Sequence, residues 1–274
     1  MEQKPLESIV LTNLFEAKDE IDADILENST SMIIGLQVSN FILTDKNLFD
    51  NYFENIIAVA GSLFKANSHR RKYHVQKDKF LSDFKNRCLQ DGVNTDRAIN
   101  SPDLISEVDG ALTQIKAALD SLAKTLNPIF GLKLHGWNKE NKESGRKIVN
   151  VLERNICSTL KDRVEPLKLL IEKNIPWISY LVSLRDDPNH HGGLKNITNV
   201  TYRQTTQEVV PPYILHNNFP EEVGIFLERS LEDIIEFVHL VINHSLSAKV
   251  GPNLIIVKNE TKEFPPYRWA IIKK

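Results

Sequence analysis

Pro176-Trp-Ile-Ser-Tyr-Leu-Val-Ser-Leu-Arg-Asp-Asp-Pro-Asn-His-His-Gly-Gly193 is the stretch on which the reading of this chain turns. It begins as an apolar run and ends in a packet of groups able to hold charge and move protons. Trp177, Tyr180, Leu181 and Leu184 recur at three- and four-residue steps, so they predict one helical stripe facing a core. Pro188 disfavours helical backbone at Asp187, which predicts a break or kink there. Gly192 and Gly193 then let the chain turn away. On an unbroken helix Arg185 and His190 would point roughly 140° apart, from about 100° per residue. A break at Pro188 lifts that constraint and allows both side chains to face one cleft.

Working outward, Leu104, Val108, Ala111, Ile115, Leu119, Leu122 and Leu126 form a second, longer apolar stripe. Ser101-Pro102-Asp103 supplies a helix start: a capping hydroxyl, a proline in the first turn and an early negative charge. Gly110, Ala111, Ala117, Ala118 and Ala123 keep this helix slim and suited to close packing. Asn127-Pro128 is expected to end it. Residues 131–144 read as a loop, Ile148–Ile156 as a further helix, and Pro166 as the start of the helix leading into Arg185.

With those two helices in place, Arg185-Asp-Asp-Pro-Asn-His190 resembles the Arg-x4-6-His motif of the HEPN superfamily. The helix Leu104–Ala123 is similar to the one preceding that motif in many bacterial members, and the resemblance covers roughly residues 100–245. It implies a helical bundle that either cuts RNA without metal or serves as a non-catalytic module binding RNA, a nucleotide or a protein. Under the first reading Arg185 stabilises the phosphate and His190 moves protons, while Asp186 orients the site. Asn189 is placed to donate to phosphate, although the family pattern does not demand it, and His191 is a spare imidazole ranked below His190. Asp120 is the candidate to hold the Arg185 guanidinium across the bundle, with Glu107 the competing acid. The resemblance also implies a homodimer and a setting in toxin–antitoxin or antiviral defence systems, with an antitoxin or defence protein as partner.

Each of these residues has a plainer reading. An arginine at a helix end satisfies carbonyls and the dipole, and paired histidines are ordinary turn residues. A helical subunit with no ligand of its own is the corresponding plain reading of the whole chain.

Nearer the N-terminus, residues 1–46 are hard to assign, because short apolar runs such as that within 31–44 do not separate helix from strand. Asp45 is expected to cap a helix carrying Phe49, Tyr52, Phe53, Ile56, Ile57, Ala60, Leu63 and Phe64. Ser68 is expected to cap the next, which carries His69, Arg70, Arg71, Lys72, His74, Lys77 and Lys79. Arg70, Arg71 and Lys72 make a candidate RNA-phosphate strip with Tyr73 as a stacking group. The bland alternative is a solvated face balanced by Asp78 and Asp83.

Beyond Gly193, Thr198, Val200 and Tyr202 alternate with polar residues as a half-buried strand does, and 209–212 form its returning partner or a loop. Glu221–Leu246 repeats the helical pattern, and the tail predicts a hairpin joining Leu254–Val257 to Trp269–Ile272. The expectation is a mainly α protein, a HEPN-like bundle with a small β appendage. Residues 1–95 form a helical region of unassigned role and 96–274 the HEPN-like domain, or the two make one continuous domain.

Composition limits the other classes. Of 274 residues, 41% are hydrophobic and 26% charged, ordinary for a globular protein. A net charge of -2 gives no overall pull toward nucleic acid, so any such binding is local. Cys88 and Cys157 form no paired motif, and neither a phosphate-binding Gly-x4-Gly-Lys loop nor a dinucleotide fingerprint occurs. Absence of His-Glu-x-x-His or a Cys cluster argues against zinc, and His239 and His244 are spaced too far around a helix to share a metal. No cofactor is expected. The N-terminus lacks a signal-peptide pattern and no apolar run suits a bilayer, so the expected location is cytoplasmic.

Overall fold

The computed structural model describes residues 18–23, 25, 36, 38–40, 42–186, 197–216, 219–251, 254–258 and 267–271. Helix dominates. α1 spans Lys46–Gln90, α2 Pro102–Phe130, α3 Arg146–Asn155, α4 Lys161–Asp186 and α5 Val223–Val250. The strands are short: β1 Arg97–Ile99, β2 Lys139–Glu140, β3 Glu143–Ser144, β4 Val200–Arg203, β5 Glu208–Val210, β6 Tyr213–His216, β7 Phe219–Glu222, β8 Leu254–Lys258 and β9 Tyr267–Ile271. A mainly helical chain with small antiparallel sheets is what the periodicity predicts.

α1 begins at Asp45, whose carboxylate accepts from the Asn47 backbone N–H at 2.8 Å. It does not restart at Ser68. No proline or glycine interrupts the backbone after Asn67, and one 45-residue helix runs straight through. At the head of α2, Pro102 and Asp103 occupy the first turn, but the Ser101 side chain makes no capping bond. α2 also outlasts Asn127-Pro128. The proline costs the one bond its missing N–H would have made to Lys124, while Ile129 keeps the apolar face buried for another turn. Gly131, at φ 68°, closes the helix, and its N–H bonds the Asn127 carbonyl. Asn127 instead clamps the exit loop. Its amide donates to the Leu134 carbonyl at 2.8 Å and accepts from the Leu134 N–H at 2.7 Å.

α4 starts five residues before Pro166 and carries both Pro166 and Pro176 inside it. Its buried face is Val164, Leu167, Ile171, Ile175, Ile178, Leu181, Val182 and Leu184. Trp177 and Tyr180 lie at the edge of that face, packing edge-on against Phe237 and Phe226 of α5. Trp137, fully buried in the loop after α2, meets Phe237 in the same edge-on way, so two indoles flank one phenyl ring.

One apolar core joins Ile21 and Ile25, the α1 residues Tyr52, Ile56 and Leu63, the α2 stripe, α3, α4 and α5. It therefore draws on both sides of the expected boundary near residue 95. Among the described residues, four small antiparallel sheets decorate this bundle. The strand read over 198–202 is β4, with β5 as its returning partner, and β1 joins on its other edge in the order β1-β4-β5. This sheet covers the end of α1 through a second cluster of Phe84, Cys88, Val93, Val200 and Tyr202. β2 pairs with β3 within the segment read as loop, and β6 with β7 just before α5. β8 and β9 make the expected tail hairpin, from Leu254 opposite Ile271 to Lys258 opposite Tyr267. Among the described residues no helix is long and apolar enough to cross a membrane.

Candidate functional site

α4 carries Arg185, an exposed residue, in its last described turn, and Asp186 is the last residue described there. The break expected at Pro188 lies outside the described residues, which stop at Asp186 in this part of the chain. Asn189, His190 and His191 lie outside the described residues, as does the side chain of Asp186.

Asp120 is engaged in building the loop after α2. Its Oδ1 accepts from the Trp137 backbone N–H at 2.7 Å and from Lys116 Nζ at 2.6 Å. Those bonds fix the buried Trp137 against α2, a structural task that an acid at the edge of an apolar stripe can perform. Glu107 faces α1. It contacts His69 Nδ1 at 2.7 Å and accepts from Gln76 at 3.4 Å. Gly110 makes this pairing possible, since a Cβ there would come within 2.5 Å of the His69 ring.

The basic strip of α1 is drawn inward. Arg70 Nη2 bonds Asp19 Oδ2, Arg70 Nη1 lies 3.0 Å from Glu228 of α5, and Arg70 Nε donates to Asn67 at 2.7 Å. Arg71 Nη1 reaches Asp22 at 2.5 Å and Asp19 at 3.3 Å. Tyr73 is fully buried, so its ring offers no free face to a base. Of the four strip residues, Lys72 is the exposed one. The acidic partners of the two arginines lie about fifty residues away and beyond (51 and 158 residues for Arg70), a distance no local pattern reveals.

This seam continues along α1. Lys77 Nζ lies 3.1 Å from Glu222, and His74 Nε2 lies 3.2 Å from Glu228 without the alignment of a hydrogen bond. Burial holds His74 below the usual histidine range. Lys77 and Arg70 add to that effect, outweighing Glu228 and Glu222. For Asp19, burial alone would raise the pKa. The Asp22 N–H, the Asn67 amide and the charges of Arg70 and Arg71 overcome it and hold the carboxyl below its usual value. The Tyr73 hydroxyl has no hydrogen-bond partner among the described residues, and burial, helped by Glu222, pushes its pKa up. Tyr73 lines a small pocket with Asn100, Ser101, Thr198, Asn199 and Pro212 that has room for about one water.

Elsewhere, His239 bonds Asn243 at 2.8 Å. Among the described residues no three His, Cys, Asp or Glu side chains are grouped to hold a metal ion. In comparison with known proteins, the chain matches no family model, no curated protein and no solved structure.

Proposed function

We propose that this chain is a metal-independent endoribonuclease of the HEPN kind, with Arg185 and His190 at its centre. The observation that supports the reading is the position of Arg185, an exposed residue, in the last described turn of α4, directly before the rest of the motif in sequence. RNA cleavage by internal attack has definite needs. The ribose 2′-hydroxyl loses a proton as its oxygen bonds the adjacent phosphorus, the bond to the 5′-oxygen breaks, and that oxygen gains a proton. His190 supplies the proton transfers, because imidazole titrates near neutrality. Arg185 faces the charge that builds on the phosphate, since guanidinium stays protonated and offers a planar fork of donors. Asp186 and Asn189 assist in orientation, and His191 is the substitute imidazole. A homodimer would bring two such motifs to one cleft, and a toxin–antitoxin or defence setting with a protein partner follows the same family reading.

The test is incubation of purified protein with single-stranded RNA in EDTA, beside Arg185→Ala and His190→Ala. The expected products carry 2′,3′-cyclic phosphate ends, and both variants lose them by at least about 100-fold. Unchanged cleavage in either variant overturns the assignment. RNA binding without cleavage transfers the reading to a non-catalytic module.

A further inference from the structure

Asn67, Arg70, Arg71 and His74 recur at steps of three, one and three along α1, so they share one face of the helix. Into that face projects a short segment, helical over residues 20–23, that brings two carboxylates. The Asn67 amide donates to Asp19 Oδ1 and to Asp22 Oδ1, each at 2.8 Å. Both guanidiniums reach Asp19 Oδ2, and Arg71 also reaches Asp22 Oδ2. Asp22 is 1% exposed, so its charge is taken almost wholly out of water. The Asp22 N–H closes on Asp19 Oδ1 at 2.8 Å and the Lys18 N–H on Asp22 Oδ2 at 3.1 Å, which fixes the two acids as one unit. One nitrogen of each guanidinium (Arg70 Nη2 and Arg71 Nη1) and the Asn67 amide converge on these carboxylate oxygens, and such charged and amide donors aimed at adjacent oxygens are what a phosphate group takes.

The charge balance explains why the array is closed. With the segment in place, Asp19, Asp22 and Glu228 face Arg70 and Arg71, and no positive charge is left to attract an anion. With it displaced, two guanidiniums face Glu228 alone. We infer that the α1 face bearing Asn67, Arg70 and Arg71 is a phosphate-binding site held shut by Asp19 and Asp22 of the same chain. Its ligand is the phosphate of a nucleic-acid strand, an identity that rests on the RNA reading above. A strand competes with the two carboxylates, and residues 18–23 give way as it binds.

The test uses the full chain and a labelled single-stranded deoxy-oligonucleotide, which lacks the 2′-hydroxyl and so reports binding whether or not the protein cuts RNA. Asp19→Asn/Asp22→Asn is expected to bind it at least about 10-fold more tightly than wild type, with affinity falling steeply as salt rises. Adding Arg71→Gln returns binding to the wild-type level. Equal affinity in a folded double variant, or a gain indifferent to Arg71→Gln, overturns the proposal. Should the double variant not fold, hydrogen exchange on wild type decides. Saturating oligonucleotide speeds exchange at residues 18–23 if the site opens, and unchanged exchange or no binding at all overturns it. Inorganic phosphate is the second probe, and binding of phosphate without the oligonucleotide overturns the strand as ligand. Loss of RNA cleavage in Arg185→Ala is read separately, so the two proposals fail independently.

Discussion

The middle of α2 and the middle of α1 are both helix, yet they reach the interior by opposite means. α2 buries Leu104, Val108, Ala111, Leu112, Ile115, Ala118, Leu119 and Leu122, a stripe whose members need only lose water. α1 takes Asn67, Arg70, Arg71 and His74 toward the interior and must supply each with a partner, from residues 19–22 on one side and from α5 on the other. Burial of apolar surface is non-directional and tolerant. Burial of charge holds only while every partner stays in position. α2 is therefore expected to act as scaffold, and the α1 seam as the part of the molecule that conditions can alter.

Truncating the scaffold should cost most. Leu119→Ala, at a fully buried site, is expected to lower unfolding free energy by about 3–5 kcal/mol in denaturant melts. A loss under about 1 kcal/mol would erase the contrast. Asp22→Ala should follow at about 2–3 kcal/mol. That is below the figure for a wholly buried pair because Arg71 keeps 27% of its side-chain exposure and can turn to solvent.

Acid should then probe the buried imidazoles, His74 of the α1 seam among them, without any mutation. His74, His239 and His244 are all held below the ordinary histidine value of 6.5, each mainly by burial. The unfolded chain thus takes up protons first. Their contribution to stability is complete above 6.5 and shrinks as pH falls through and below it. Asp19, also lowered, keeps its contribution until pH drops below its ordinary 3.8. A melting temperature that declines between neutrality and about pH 5 is the expected outcome. A flat profile there contradicts the burial of these imidazoles. Lys72→Ala, at the exposed position of the strip, should change stability by less than about 0.5 kcal/mol.

The same contrast accounts for what could be read in advance. The α2 stripe, the α5 stripe and the β4–β5 and β8–β9 pairs were legible because apolar periodicity records burial within a few residues. The capping role of Asp45 was legible because it too is local. Ser68 and Pro128 misled, since a capping residue or a proline shows where a helix can end, while continued burial on the same face decides whether it does. β1 and the β6–β7 hairpin carried no pattern long enough to register. At the site, the apolar stripe that ends at Leu184 placed Arg185 on its helix, while the break expected at Pro188 lies outside the described residues. The destinations of Arg70, Arg71 and Glu107 depended on residues brought near only by folding. Tyr73 shows the same limit, because a tyrosine inside a basic run reads equally well as a stacking ring or as core.

The arrangement of Trp137 and Trp177 about Phe237 gives the protein its own optical gauge. One indole belongs to the loop anchored by Asp120 and the other to α4, some eight residues ahead of Arg185, while the shared ring sits on α5. Any event that shifts α4 against α5 changes the surroundings of Trp177, one of three tryptophans in the chain, and a movement of Phe237 is felt by Trp137 as well. Ultraviolet fluorescence can therefore follow ligand arrival or subunit pairing near the motif with no label attached.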